Sequence, residues 1–166
     1  MADLNTAYNT NDTPSSRLGT AYVKIKEGKN AGKRYRLFNA QKVEAVATVE
    51  TAEVKVLGDV ITRHKAVGVT YKITMTVYKV SDMFDDFVQS FARTGVMPTF
   101  DLQVTEYDPA TTIGTSGYIY RNCVIDGDIR LAGLDVDGTF IGQEITCYAS
   151  GVTEYSAHKE PAYWAD

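Results

Sequence analysis

Residues 68–80 read Gly68-Val69-Thr70-Tyr71-Lys72-Ile73-Thr74-Met75-Thr76-Val77-Tyr78-Lys79-Val80. Val69, Tyr71, Ile73, Met75 and Val77 alternate with Thr70, Lys72, Thr74, Thr76 and Tyr78. A period of two puts the first set on one face of a strand and the second on the other, so this stretch specifies a strand with one buried and one wet face. The run Val43 to Val56 supplies a partner. Ala45, Ala47 and Val49 share one face, Glu44, Thr48 and Glu50 the other, and Val46 falls out of phase. The phase drifts after Thr51, which fits a bulge or twist. With a loop expected over Leu57–Val67, the two arms make one long hairpin. Closing it symmetrically about that loop places Glu50 near Lys72 and Thr48 near Thr74 as cross-strand pairs.

Upstream, Thr20–Lys26 and Lys33–Phe38 read as a shorter hairpin around the charged, Gly-containing turn Glu27–Gly32. Residues 1–18 are rich in Asn, Thr and Ser, hold Thr13-Pro14-Ser15-Ser16, and lack periodicity. They are expected to be a flexible arm, with residues 19–166 forming a single domain. Downstream, Asp82 to Thr94 carries Phe84, Phe87, Val88 and Phe91 at helical spacing, one apolar stripe that must pack on a sheet. Asp82 or Ser81 stands where an N-cap belongs, Asp85 and Asp86 suit the positive end of the helix dipole, Arg93 suits the other, and Gly95 can end it. Further strands are expected at Thr99–Tyr107, Gly117–Ile125 and Thr139–Ala149. Gly151–Asp166 has no clear period but carries Tyr155, Tyr163 and Trp164, candidates for a docking tail.

Composition narrows the function classes. The 166 residues hold 17 Lys and Arg against 21 Asp and Glu, a net charge of −4, so the chain lacks the cationic surplus that phosphate neutralisation requires. Cys123 and Cys147 cannot build a disulfide framework or a four-ligand zinc site within one chain, and each sits in a strand-like run as a buried thiol would. Asp135-Val136-Asp137-Gly138 with Glu144 resembles a calcium loop, but Gly133 occupies the first ligand position and the flanks are strands, so an exposed acidic turn is expected. His64 and His158 have no Cys or second His at ligand spacing, and Gly114-Thr115-Ser116-Gly117 lacks the Lys of a phosphate loop. No catalytic residue, metal or cofactor is indicated. No basic head precedes an apolar run at the start, and no apolar run reaches membrane-spanning length. Cytoplasmic synthesis without a membrane anchor is the expectation. Arg63-His64-Lys65, with the cations at Lys24, Lys26, Lys29, Lys33, Arg34 and Arg36, suits either an anionic partner or surface solubility.

Three blocks carry a family likeness: Glu44-Ala45 through Val49-Glu50 to Glu53-Val54 and Leu57-Gly58; His64-Lys65, Gly68, Thr74, Thr76 and Tyr78-Lys79-Val80-Ser81; and Leu134-Asp135-Val136-Asp137. In order and spacing they resemble the tail tube proteins of contractile tails in Gram-positive phages and of PBSX-type prophages. The N-terminal arm and first hairpin are longer than in shorter members. The resemblance implies a mainly β fold, a β-sandwich or half-barrel with one flanking α-helix, six copies of which close into a β-barrel ring. Stacked rings would form the inner tail tube beneath a contractile sheath, a non-enzymatic conduit for genome delivery. Implied partners are further copies, the sheath, the tape measure, the baseplate tube initiator and the tail terminator, with DNA passing through the lumen without specific binding. The implied place is the virion tail, assembled in the host bacterial cytoplasm.

On that reading Glu44, Thr48, Glu50, Lys72, Thr74 and Thr76 are candidates to line the lumen. Leu57, Gly58, Val60, Ile61, Arg63, His64 and Lys65 are candidates for a ring-stacking loop. Ring closure would also remove the open strand edges that so long a hairpin leaves. The alternative is an extracellular β-sandwich binding module whose tyrosines stack on sugars, which predicts a stable monomer. A small hydrolase would need a concave pocket with perturbed carboxylates, for which no spacing speaks.

Overall fold

A computed structural model describes residues 10–37 and 39–160. The strands are β1 (Gly19–Ile25), β2 (Arg34–Arg36), β3 (Ala40–Val54), β4 (Arg63–Tyr78), β5 (Phe100–Tyr107), β6 (Thr115–Asp126), β7 (Gly142–Ala149) and β8 (Gly151–Ser156), with helix α1 (Met83–Thr94) between β4 and β5. All pairings are antiparallel and run in the order β2-β1-β5-β6-β7-β4-β3, with β8 added beside β6. The expected mainly β architecture with one flanking helix is present. Among the described residues, no helix is long and apolar enough to cross a membrane.

The path folds over on itself at β6. The first part of β6 pairs with β5 and β8, and its last residues pair with β7. Arg121 faces Gly151 on one side of the corner and Val124 faces Tyr148 on the other. One register therefore runs through the bend, and β7 and β8 together form a single arm broken only at Ser150. Asn122 adopts a left-handed φ of 51° at the corner. There β6 carries one more residue than β5 between Phe100↔Cys123 and Leu102↔Tyr120, a bulge of the kind that turns strands between layers. Asn122 donates its backbone N–H to Asp101 Oδ1 at 2.9 Å and accepts from Lys26 Nζ through Oδ1 at 2.6 Å. Lys26 also lies 3.1 Å from Asp101. Ser150 donates from its backbone to Arg121 O and from Oγ to Asn122 O.

The two layers enclose the core. Val23, Ile25, Phe100 and Leu102 come from one, and Ile73, Met75, Val77, Ile145 and Cys147 from the other, all essentially inaccessible. Helix α1 closes one end, with Phe84 edge-on to Phe87 and Phe100, and Phe87 stacked on Phe100 at 5.7 Å. Phe91, the last residue of the expected stripe, is half exposed. Gly95 takes the left-handed conformation and returns its N–H to Phe91 O, as the sequence suggests. Asp82 occupies the N-cap position but makes no side-chain cap bond.

The long hairpin exists, in a different register from symmetric closure. Glu50 faces Gly68, Thr48 faces Thr70, Val46 faces Lys72 and Glu44 faces Thr74. The expected Glu50–Lys72 and Thr48–Thr74 pairs are therefore wrong by four positions. The cause is that β4 starts at Arg63, so the connection is residues 55–62 rather than Leu57–Val67. A bulge at Val67, between the Glu50↔Gly68 and Thr51↔Ala66 pairs, accommodates the odd residue. Gly151–Ser156, expected as part of a docking tail, is a strand on β6. In the expected N-terminal arm, Thr10–Asp12 forms a 3-10 turn, and Asp12 is buried, accepting from Thr112 through its N–H and its hydroxyl. Ser15 donates its N–H to Asp108.

Cys123 and Cys147 are both fully buried and lie on neighbouring strands. The hydrogen bond with Cys123, together with burial, holds the Cys147 thiol far above the ordinary thiol range. Because both are buried, they should resist a soluble alkylating reagent in the native protein, reacting only once denaturant opens the core; mass spectrometry of native and unfolded samples reads this directly. At the corner, Asn122→Val combines left-handed strain with the loss of the side-chain bond to Lys26. It should cost about 2 kcal/mol and lower Tm by about 4–8 °C, whereas Asn122→Gly should cost clearly less. Equal losses for both variants in a thermal melt would show that the backbone conformation at the corner is not what matters.

Candidate assembly surfaces

Alternation along β4 divides the layer formed by β3, β4, β7 and the end of β6 into two faces. Ile73, Met75 and Val77 point into the core. Thr70, Lys72, Thr74 and Thr76 point away and align with Thr48, Val46, Glu44 and Lys42 of β3. Glu44, Thr48, Glu50, Lys72, Thr74 and Thr76 therefore do share one face, as the sequence suggests. On the other side of β4 the same face continues through Tyr148, Thr146 and Glu144, opposite Lys72, Thr74 and Thr76, and then through Val124 and Asp126. These residues were not singled out from sequence, although Glu144-Ile145-Thr146-Cys147-Tyr148 carries the same alternation. Lys42 and Lys72 stand among Glu44, Glu50, Glu144 and Asp126, interspersed with hydroxyls, so the surface is hydrated and mildly acidic. Lys42 lies 2.9 Å from Glu44, and that hydrogen bond and charge raise the lysine above its ordinary range.

The hairpin outgrows the body. Pairing of β4 with β7 stops at Tyr71↔Ala149, so from Thr70 to Arg63 its partner is β3 alone. Every residue of 45–54 and 63–69 is exposed, including Val49, Val54, Val67 and Val69. An isolated two-stranded ribbon is marginal in water, and this segment carries apolar surface that the other described residues do not cover. Among the described residues, the far edge of β3 has no pairing partner.

The ribbon ends in an ordered turn. Asp59 donates its N–H to Val56 O, and Gly58 supplies the positive φ of 84° that the turn needs. The Asp59 carboxylate accepts from the Ile61 N–H at 3.0 Å and pairs with Arg63 at 2.5 Å, which together hold it below the usual carboxylate range. Leu57 and Val60 are fully exposed and Ile61 largely so. Arg63, His64 and Lys65, expected in the loop, are instead the first residues of β4, opposite Val54, Glu53 and Ala52.

Between the two layers, at the end away from α1, a groove of about 370 Å³ opens. Val43, Ala45, Ala47 and Tyr71 line one wall, and Val104, Tyr118, Tyr120 and Val152 the other. Tyr118 and Tyr120 stack on each other at 6.2 Å. Tyr155 lies on β8 with its hydroxyl bonded to Thr105, so it fastens two strands of its own chain. Its ring occupies the space that a side chain at Gly117 would need. Tyr163 and Trp164 lie outside the described residues. Among the described residues, no three His, Cys, Asp or Glu side chains gather as metal ligands. Asp135, in the segment that resembles a calcium loop, instead accepts the N–H groups of Asp137 and Gly138.

Known proteins share both the sequence and the fold. The chain is 30% identical over 122 residues to the uncharacterized protein YqbM of Bacillus subtilis (strain 168), and 29% identical over 122 residues to the phage-like element PBSX protein XkdM of the same strain. Each match covers 69% of this chain and 82% of the relative. Among solved structures, the fold matches a chain in the tube-terminating cap of the anti-feeding prophage, with a TM-score of 0.63 and 12% identity over 94% of this chain and 97% of that one. It also matches a chain in the extended sheath-tube complex of the extracellular contractile injection system PVC, with a TM-score of 0.56 and 15% identity over 91% and 99%. The family model for phage tail tube proteins matches residues 6–152, so a long hairpin with an alternating, one-sided polar face belongs here to a structural tail component: the chain is a member of the phage tail tube protein family.

Proposed function

We propose that six copies of this chain close into a ring around a bore lined by the polar face of β3, β4, β7 and the end of β6, and that the rings stack as the inner tube of a contractile tail. The observation that carries this reading is the hairpin itself: its wet face is continuous over four strands, its β3 edge is open among the described residues, and its outer half is exposed on both faces. A strand edge of that length invites pairing with another chain, and closure into a barrel removes it. Glu44, Thr48, Glu50, Lys72, Thr74 and Thr76 then line the lumen with Glu144, Thr146 and Tyr148. A lumen of carboxylates and hydroxyls with few cations lets a polyanion pass without holding it. The exposed tip, Leu57 to Ile61, makes the contact between rings. The sheath lies outside and the tape measure within the growing bore, while an initiator and a terminator bound its ends. Assembly takes place in the host bacterial cytoplasm before the tube becomes part of the virion tail. The relation to a chain of a sheath-tube complex supports the contractile setting at the level of fold.

Negative-stain electron microscopy at rising protein concentration, with and without the tail initiator, tests the reading. Hollow tubes of stacked six-fold rings are expected, and a species that stays monomeric under both conditions contradicts it. Replacing residues 55–62 by a two-residue Asn-Gly turn should leave the thermal stability of unassembled protein within about 2 °C of the parent, because the tip contributes nothing to the core. The same variant should form rings and no tubes; tubes of normal length would refute the stacking role of the tip.

A further inference from the structure

The segment joining β6 to β7, residues 127–141, gives only Ile129 to the margin of the core and lies outside the lumen face and the hairpin, yet it is built with care. Lys79 Nζ donates to Arg130 O at 2.8 Å and Leu131 O at 2.6 Å while paired with Asp85 at 2.6 Å. The Lys79 N–H reaches Ile141 O, and Phe140 meets the edge of Tyr78. Asp135 closes the tip of the segment through its oxygens. The side chains so presented are apolar: Leu134 is 93% exposed and Val136 98%. A segment pinned at both ends that shows its largest aliphatic groups to water is a contact surface awaiting a partner.

Position and charge identify the partner. Strand β4 runs from Arg63, beside the hairpin tip, to Tyr78, beside this segment, so the two lie at opposite ends of one strand about 50 Å long. Residues 127–141 hold Asp128, Asp135 and Asp137 against Arg130 alone. The tip, from Glu53 to Lys65, holds Lys55, Arg63 and Lys65 against Glu53 and Asp59, and each of these carboxylates already has a cation from within the tip. One end is thus apolar with a basic surplus and the other apolar with an acidic surplus. Copies related by translation along the strand axis bring unlike ends together, a head-to-tail contact that repeats without closing.

We infer that residues 127–141 form the seat for the hairpin tip of a copy in the adjacent ring, with Leu134 and Val136 against Leu57 and Val60 and the aspartates facing Lys65. The inference rests on the stacked-ring reading and names the receiving surface. Its test uses the full chain carrying both Val60→Cys and Val136→Cys, treated with a short bismaleimide after assembly. Cys123 and Cys147 are buried, and the parent protein serves as the control for them. Since the two new thiols are far apart within a chain, the double variant should give a ladder of covalent oligomers extending beyond six chains, and neither single variant should. Tubes that form without a ladder above the single variants would overturn the seat while leaving stacked rings intact; failure of the parent to form tubes would overturn both. Independently, Leu134→Asp with Val136→Asp should lower sedimentable tube at least about tenfold, the equivalent of 1.4 kcal/mol, with ring formation retained. Lys65→Glu should lower it as well, and adding Asp137→Lys should recover it. Undiminished tube in the double aspartate variant would count against the seat.

Discussion

The fold depends on one corner. A ribbon of β6 against β7 and β8 passes from one layer to the other without changing register, and Asn122 and Ser150 are the residues at which both arms bend. The left-handed Asn122 supplies the bend, and the bond from its N–H to Asp101, itself paired with Lys26, ties the bulge to the neighbouring strands. Everything that meets in the core is brought there by this bend: Phe100 and Leu102 on one side, Ile145 and Cys147 on the other. An unbent ribbon would leave two sheets with no common interior.

The corner also decides where the core ends. The layers close on each other around the corner and α1, and they diverge toward the hairpin tip, where the groove lined by Tyr118 and Tyr120 opens. Strand β4 crosses that boundary. Its second half is an inner strand with Ile73, Met75 and Val77 inaccessible, while its first half pairs, among the described residues, with β3 alone. One continuous strand therefore serves two environments. The folded body anchors the register of a ribbon that could not hold itself in water, and the ribbon carries that register outward to surfaces the body never reaches.

Most of this was legible where burial is one-sided. The alternation from Val69 to Val77 identifies β4, its faces and the residues that share the wet side, because each inward position is constrained by the core. The helix was legible from Phe84 and Phe87 for the same reason. Register was not, because its marker is the bulge at Val67, in a ribbon exposed on both faces where nothing in the residue pattern fixes a phase. Strand β8 was missed because a single residue, Ser150, separates it from β7, leaving no turn signal between strands that belong to different layers. The partner face of β7 was readable in Glu144, Thr146 and Tyr148 once β4 was placed beside it. The ends of helix α1 divide similarly: Gly95 declares itself through its backbone, whereas Asp82 has the right identity for a cap and makes no cap bond.

An assembly of many identical chains multiplies whatever is reactive on one of them. Here the only two thiols, Cys123 and Cys147, are both buried in the interior on neighbouring strands. A particle made of such copies has no thiol on its surface. Passing from reducing to oxidising surroundings would form no disulfide between neighbouring copies, and its durability would be set by non-covalent contacts.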